Sequence, residues 1–213
     1  MARRFTFLAA CGALFPICAP LLAADGTSLV PGIWTNTQDA YLAPAEGRDT
    51  PEWVGLEVAE DDRWRRVDAF GTASSGWYNP QIIGLAPSPA GGWTRQGSEL
   101  RPARWFTCWV ATRKDAANPG GGEGWTFQSG IRVFDQGGRA LVGGGGAAPE
   151  VTIRLRHVTW EKGSRNKPAL TLYIHRDDPD RAKSYAWADP AARLVGDDLR
   201  WVQASCSREG EQT

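Results

Sequence analysis

The sequence predicts an all-β fold: a single antiparallel β-sandwich domain with at most one or two short helical turns. Three observations point there. Short segments rich in Val, Ile, Thr and aromatic residues alternate apolar with polar positions, the period of a strand that buries one face. Turn chemistry separates them at short intervals, drawing on 25 glycines and 14 prolines in 213 residues. Helical periodicity is scarce, and only Asp189–Val195 (Asp-Pro-Ala-Ala-Arg-Leu-Val) offers an N-cap, a Pro at the first helical position and good helix formers.

The chain opens on a targeting pattern rather than on a strand. Met1-Ala2-Arg3-Arg4 is a positive start, Phe5 to Leu22 is apolar apart from Thr6, and Ala23-Ala24 precedes the first acid, Asp25. Residues 1–24 are expected to be a secretory signal and residues 25–213 a single exported domain, periplasmic or extracellular. Pro16 and Pro20 interrupt the apolar run, and no later stretch approaches the ~20 apolar residues of a spanning helix, so no transmembrane segment is expected in the mature chain. Arg3-Arg4 and Leu8-Ala9-Ala10-Cys11 leave twin-arginine export and lipid anchoring as lesser alternatives.

Basic and acidic residues balance at 24 each, so removing Arg3 and Arg4 leaves the remainder slightly acidic. No Lys/Arg stripe stands out. Nucleic acid is therefore not expected as a partner, because phosphate binding needs concentrated positive charge.

Strands are expected over Gly32–Asn36, Trp53–Glu60, Arg63–Thr72, Gln81–Leu85, Arg104–Arg113, Gly124–Asp135, Glu150–Trp160, Ala169–His175, Ser184–Trp187 and Leu199–Cys206. The clearest is Val151-Thr152-Ile153-Arg154-Leu155-Arg156, strictly apolar and polar by turns. Leu170-Thr171-Leu172-Tyr173-Ile174-His175 repeats the pattern across the polar turn Lys162–Pro168. His157 falls in register with the apolar face of the first strand and is expected to be partly buried with its polar atoms satisfied. His175 shares its face with Thr171 and Tyr173 and is expected at the surface.

Cys108 and Cys206 are the two cysteines beyond the signal. Cys108 alternates in phase with Phe106 and Val110, and Cys206 with Val202 and Ala204, so both sulfurs point to an apolar face. In an oxidising compartment the simplest outcome is one disulfide, a staple rather than a redox site, because no Cys-x-x-Cys is present.

Catalytic and metal constellations are mostly absent. The Gly-rich stretches 118–124 and 143–146 lead into strands, not helices, and lack a Gly-Lys-Ser/Thr ending, so they read as loops rather than phosphate sites. No Gly-x-Ser-x-Gly elbow occurs, and two histidines cannot make a three-His zinc site. Asp177-Asp178-Pro179-Asp180 reads as a solvated turn rather than a calcium loop. No metal and no cofactor are expected. Glycoside cleavage needs only two carboxylates across a sugar, and Glu57, Asp68, Glu123 and Asp135 supply the residue type without a spaced motif. Enzymatic activity stays open as the lesser alternative.

The strongest compositional departure is the count of eleven tryptophans. Trp joins a large apolar body to one N–H donor, which suits β-rich cores and ligand platforms alike. Trp77, Tyr78, Trp93 and Trp125 border Gly- or Pro-rich segments, where a rigid scaffold can present a ring to a ligand. They are the candidate binding residues. The expected function is non-enzymatic binding of a small molecule, glycan or envelope component on an aromatic-lined surface or cavity. A carbohydrate-active hydrolase and an envelope assembly protein are the alternatives.

Gly32-Ile33-Trp34 resembles the Gly-x-Trp that opens the lipocalin barrel. The resemblance implies a closed β-barrel as the alternative to a sandwich, with an Arg of the last strand, here Arg200, packed over Trp34.

Overall fold

The computed structural model describes residues 30–79, 84–87, 93–114, 124–143, 148–178 and 180–210. The expected signal over residues 1–24, the expected Gln81–Leu85 strand as far as residue 83, Glu123 and most of both Gly-rich loops lie outside the described residues. The fold is all-β, in three antiparallel sheets.

Two four-stranded sheets form a sandwich. One runs in the order β12 (Ala182–Ala188), β11 (Ala169–His175), β10 (Val151–Val158), β9 (Gln136–Val142). The other runs β13 (Leu194–Asp198), β14 (Val202–Arg208), β7 (Trp105–Arg113), β8 (Trp125–Phe134). The alternation seen in the sequence fills the space between them. Ile153 and Leu155 from β10, Leu170, Leu172 and Ile174 from β11, and Phe106, Val110 and Val202 from the facing sheet form one buried cluster. Cys108 and Cys206 sit in it directly opposite each other on β7 and β14, joined as a disulfide with their Cα atoms 4.0 Å apart.

The third sheet has six strands: β3 (Trp64–Arg66), β2 (Gly55–Val58), β1 (Gly32–Thr35), β6 (Ser98–Ala103), β5 (Trp93–Arg95) and β4 (Leu85–Pro87). Trp34, Leu56, Val58, Trp64 and Leu100 make its core with Trp93 against them, all drawn from this sheet's own strands. A sheet that buries large side chains against itself must curl, and it is a half-barrel. Its other face meets the sandwich through Ile33, Val67 and Phe134.

The sheet opened by Gly32-Ile33-Trp34 is curled but does not close into the barrel that the lipocalin resemblance implies. Arg200 is exposed in the turn before β14, in a different sheet from Trp34. Trp34 instead donates its indole N–H to the Val30 carbonyl, 2.9 Å away.

The corner between β8 and β9 fastens the sheets together. Gly137 has φ +89°, and a Cβ on Gly138 would lie 2.5 Å from the backbone N and O of Phe134, so the chain turns here only because both residues are glycine. Asp135 at the corner is 1% exposed. Its carboxylate accepts the Arg104 backbone N–H at 2.8 Å and the Arg104 Nε–H at 2.6 Å. Arg104 joins β6 to β7 and also donates to the Pro190 carbonyl.

The helical expectation is corrected. Asp189–Val195 is not a helix: Asp189 closes a turn by accepting the Ala191 and Ala192 amides, and the chain enters β13 at Leu194. Pairing with β14 along its length outweighs a helix too short to hold together unaided. The helix that does form is α1 (Thr37–Leu42), held by tertiary contacts, with Gln38 bonded at both ends of its amide to the backbone of Thr159.

Candidate ligand-binding face

Of the four aromatic residues singled out from the sequence, three lie at the half-barrel and one on the sandwich. Trp77 is half-buried, with the guanidinium of Arg65 4.5 Å and that of Arg63 5.7 Å from its ring centre. Tyr78 is exposed and stacks on Trp64 at 4.8 Å. Trp93 is half-buried and packs against the cluster that contains Trp64. These three belong to the half-barrel. Trp125 lies on β8 of another sheet, exposed, with Arg113 5.4 Å from its ring. Among the described residues, no ring contact joins any two of Trp77, Trp93 and Trp125.

The carboxylates offered for glycoside cleavage have structural partners. Glu57 bonds Arg65 at 2.6 Å, Asp135 is tied to Arg104, and Asp68 accepts the turn amides of Phe70 and Thr72. No cluster of three or more His, Cys, Asp or Glu suited to a metal is found among the described residues. No helix among them is long and apolar enough to cross a membrane.

The structure assembles a different surface from residues that are remote in sequence. On the outer face of the β9–β12 sheet, pairing register lines up Arg139 on β9, Arg154 on β10, Tyr173 on β11 and Tyr185 on β12. The adjacent row is Gln136, Arg156, Thr171 and Trp187. Strands stand ~4.8 Å apart, so each row spans ~14 Å of one face. Tyr185 is 60% and Trp187 70% exposed, and both belong to an edge strand. Tyr173 lies 6.2 Å from Tyr185, which lies 6.1 Å from Trp187, so the three rings form a continuous apolar strip.

Three guanidiniums flank that strip. Arg156 is 6% exposed and lies under the ring of Tyr41 from α1, at 4.3 Å. Burial, then the positive charges of Arg156 and Arg139, pull the pKa of Arg154 down to about 10. Burial likewise lowers Arg156, opposed by Tyr173 and Tyr41. The buried Nε of Arg154 and Nη2 of Arg156 meet no acceptor among the described residues. Arg139 reaches Asp180 at 3.6 Å.

The histidines correct a further pair of expectations. His175, expected at the surface, is 3% exposed at the end of this face, where it meets Tyr173 at 6.3 Å. His157 is half-buried as expected, but its Nε2 has no partner among the described residues. Burial lowers both pKa values, aided by Arg139 and Arg154 for His175 and by Arg104 and Arg101 for His157; Asp135 opposes the shift at His157, and the Asp178 backbone and Asp180 oppose it at His175. A histidine whose folded pKa lies below its unfolded value resists protonation in the fold, so stability is intact above about pH 6.5 and falls as acid charges the unfolded chain first. Chemical denaturation between pH 7 and pH 5 is expected to show this loss, and replacing both histidines by glutamine to reduce it. An unchanged pH slope in that double variant refutes the assignment.

The alternation of β10 and β11 is plain in the sequence, but the face they share with β9 and β12 is not. The signal present was two arginines on the polar side of β10; the aromatic side came only with pairing to β11 and β12. No protein-family model, curated protein or solved structure matches this chain.

Proposed function

We propose that this is an exported, non-enzymatic binding protein that takes a glycan or a similar ligand with flat apolar faces on the strip Tyr173–Tyr185–Trp187. The observation that carries the reading is the exposure of Tyr185 and Trp187 side by side on one edge strand, continuous with the half-buried Tyr173. Large aromatic rings left in water on a regular sheet are costly to keep unless something covers them, and such exposed patches mark binding surfaces. The chain's opening pattern and the buried disulfide support export. Arg and turn partners on Glu57, Asp68 and Asp135 weigh against the hydrolase alternative.

Each ring stacked on a sugar face is worth ~1 kcal/mol, so the expected affinity is weak and built from several contacts. Titration with an oligosaccharide panel is expected to shift the intrinsic fluorescence. Trp187→Ala is expected to abolish that shift while leaving the melting temperature within ~2 °C, since the ring is mostly in water. Trp77→Ala and Trp125→Ala are the comparison variants. If they remove the response and Trp187→Ala does not, the binding surface lies on the loop-border tryptophans instead.

A further inference from the structure

We infer that the ligand of this face is an acidic glycan, with carboxylates held by Arg139 and Arg154 and sugar rings on Tyr173, Tyr185 and Trp187. The inference rests on the proposed binding role of the aromatic strip and adds the charge of what binds there.

Arg139 and Arg154 are directly opposite each other on neighbouring antiparallel strands, the arrangement in which like charges repel most strongly across a sheet. Arg156 adds a third positive charge two residues along β10. Asp180, whose side chain is 89% exposed, lies 3.6 Å from Arg139. No carboxylate lies within salt-bridge distance of Arg154 or Arg156 among the described residues. A fold gains nothing by pressing these groups together and leaving buried N–H donors of Arg154 and Arg156 without acceptors. An incoming anion beside Arg139 and Arg154 offsets that repulsion.

The geometry narrows the anion's chemistry. A guanidinium is planar and matches a carboxylate through paired N–H donors. Two arginines and then two rings follow one another along one row, Arg139–Arg154–Tyr173–Tyr185, about three strand steps long. That length exceeds a single small carboxylic acid and fits a chain that presents acid groups and flat ring faces together. Tyr185 and Trp187 meet at 74°, and Tyr173 and Tyr185 at 41°, so no parallel pair of rings forms a slot to sandwich a nucleobase. The open strip suits the CH faces of sugars.

The test uses the full folded chain with a short oligogalacturonate and with its methyl ester, which has the same backbone without the charge. The acid is expected to bind at least tenfold more tightly than the ester and to raise the melting temperature, with the advantage shrinking in high salt. Arg154→Gln is expected to erase the preference while its own melting temperature stays level or rises, because it relieves repulsion. A merely structural arginine gives the opposite signature, a lower melting temperature with the preference intact, and that result overturns the inference. Equal binding of acid and ester, both lost in Trp187→Ala, overturns the acidic ligand and leaves the aromatic binding role standing. Binding of neither, or of a neutral ligand elsewhere, overturns both. Competition by a single-stranded oligonucleotide of equal charge as effective as the oligogalacturonate overturns the assignment to a glycan.

Discussion

A variant with Cys108 and Cys206 both replaced by alanine is expected to lose about 3 kcal/mol of stability and to keep its β-structure. The bridge spans a sequence separation of 98 residues, so it constrains nearly half of the unfolded chain. In the chain-entropy picture a loop of that length is worth up to ~4.7 kcal/mol, and observed values usually fall below that ceiling. Both sulfurs are buried in the sandwich core, and the surrounding ladder between β7 and β14 runs from Val202–Thr112 to Arg208–Phe106 without the bond. The sheet therefore survives, but the unfolded state becomes freer. Urea unfolding of the double variant measures the loss, and a change under ~1 kcal/mol sinks the idea that the bridge is a staple. In the parent protein, reductant without denaturant is expected to leave the bond intact, because neither sulfur is accessible. Intact mass under native reducing conditions checks this directly.

Replacing Asp135 by alanine is expected to cost about 2–3 kcal/mol. Its carboxylate is buried and satisfies two donors of Arg104, one of them a backbone amide. Removing one member of a buried, hydrogen-bonded pair leaves the other unpaired, at a typical cost of 3–5 kcal/mol. The Arg104 side chain is about a third exposed, so water softens the loss and the expectation is set lower. Asp135→Asn keeps an acceptor for the amide and should lose roughly half as much. Because Arg104 links the half-barrel to the sandwich and donates to the Pro190 turn, the alanine variant is also expected to loosen that junction. Hydrogen exchange should report faster opening near residues 104 and 190–192. Equal stability of the alanine variant and the parent contradicts the role of Asp135 as the fastening point.

Much of the fold was legible in the sequence, for a local reason. In Val151–Arg156 and Leu170–His175 alternation specifies which side chains face the core, and the structure buries Ile153, Leu155, Leu170, Leu172 and Ile174 accordingly. The same phase put both cysteines inward and allowed their pairing. Strands β5, β6 and β9 carry no clear alternation to announce them. β9 carries Gly137 and Gly138, which read as loop residues until the corner at Asp135 requires them. Asp189–Val195 misled in the other direction, because helix-start chemistry is local whereas pairing of β13 with β14 is not.

The candidate site was less legible. Trp77, Trp93 and Trp125 share a glycine neighbour in sequence, but the structure puts Trp93 in the half-barrel, Trp77 beside Arg63 and Arg65, and Trp125 in the sandwich. Trp187 and Tyr185, the most exposed rings of the strip, lie inside a strand with no loop glycine to mark them. His175 sits on the polar phase of β11 as the pattern requires, yet is covered, because α-carbon alternation says nothing about what packs over a face.

By itself, then, the sequence determined the all-β class, the inward phase of the long strands and the inward direction of both sulfurs, since each depends on residues one or two positions apart. Only the tertiary structure decided that Arg139, Arg154 and Arg156 meet one another beside Tyr173, Tyr185 and Trp187. That juxtaposition is set by the register of β9 through β12, and register is fixed by pairing between segments tens of residues apart, which no local pattern encodes.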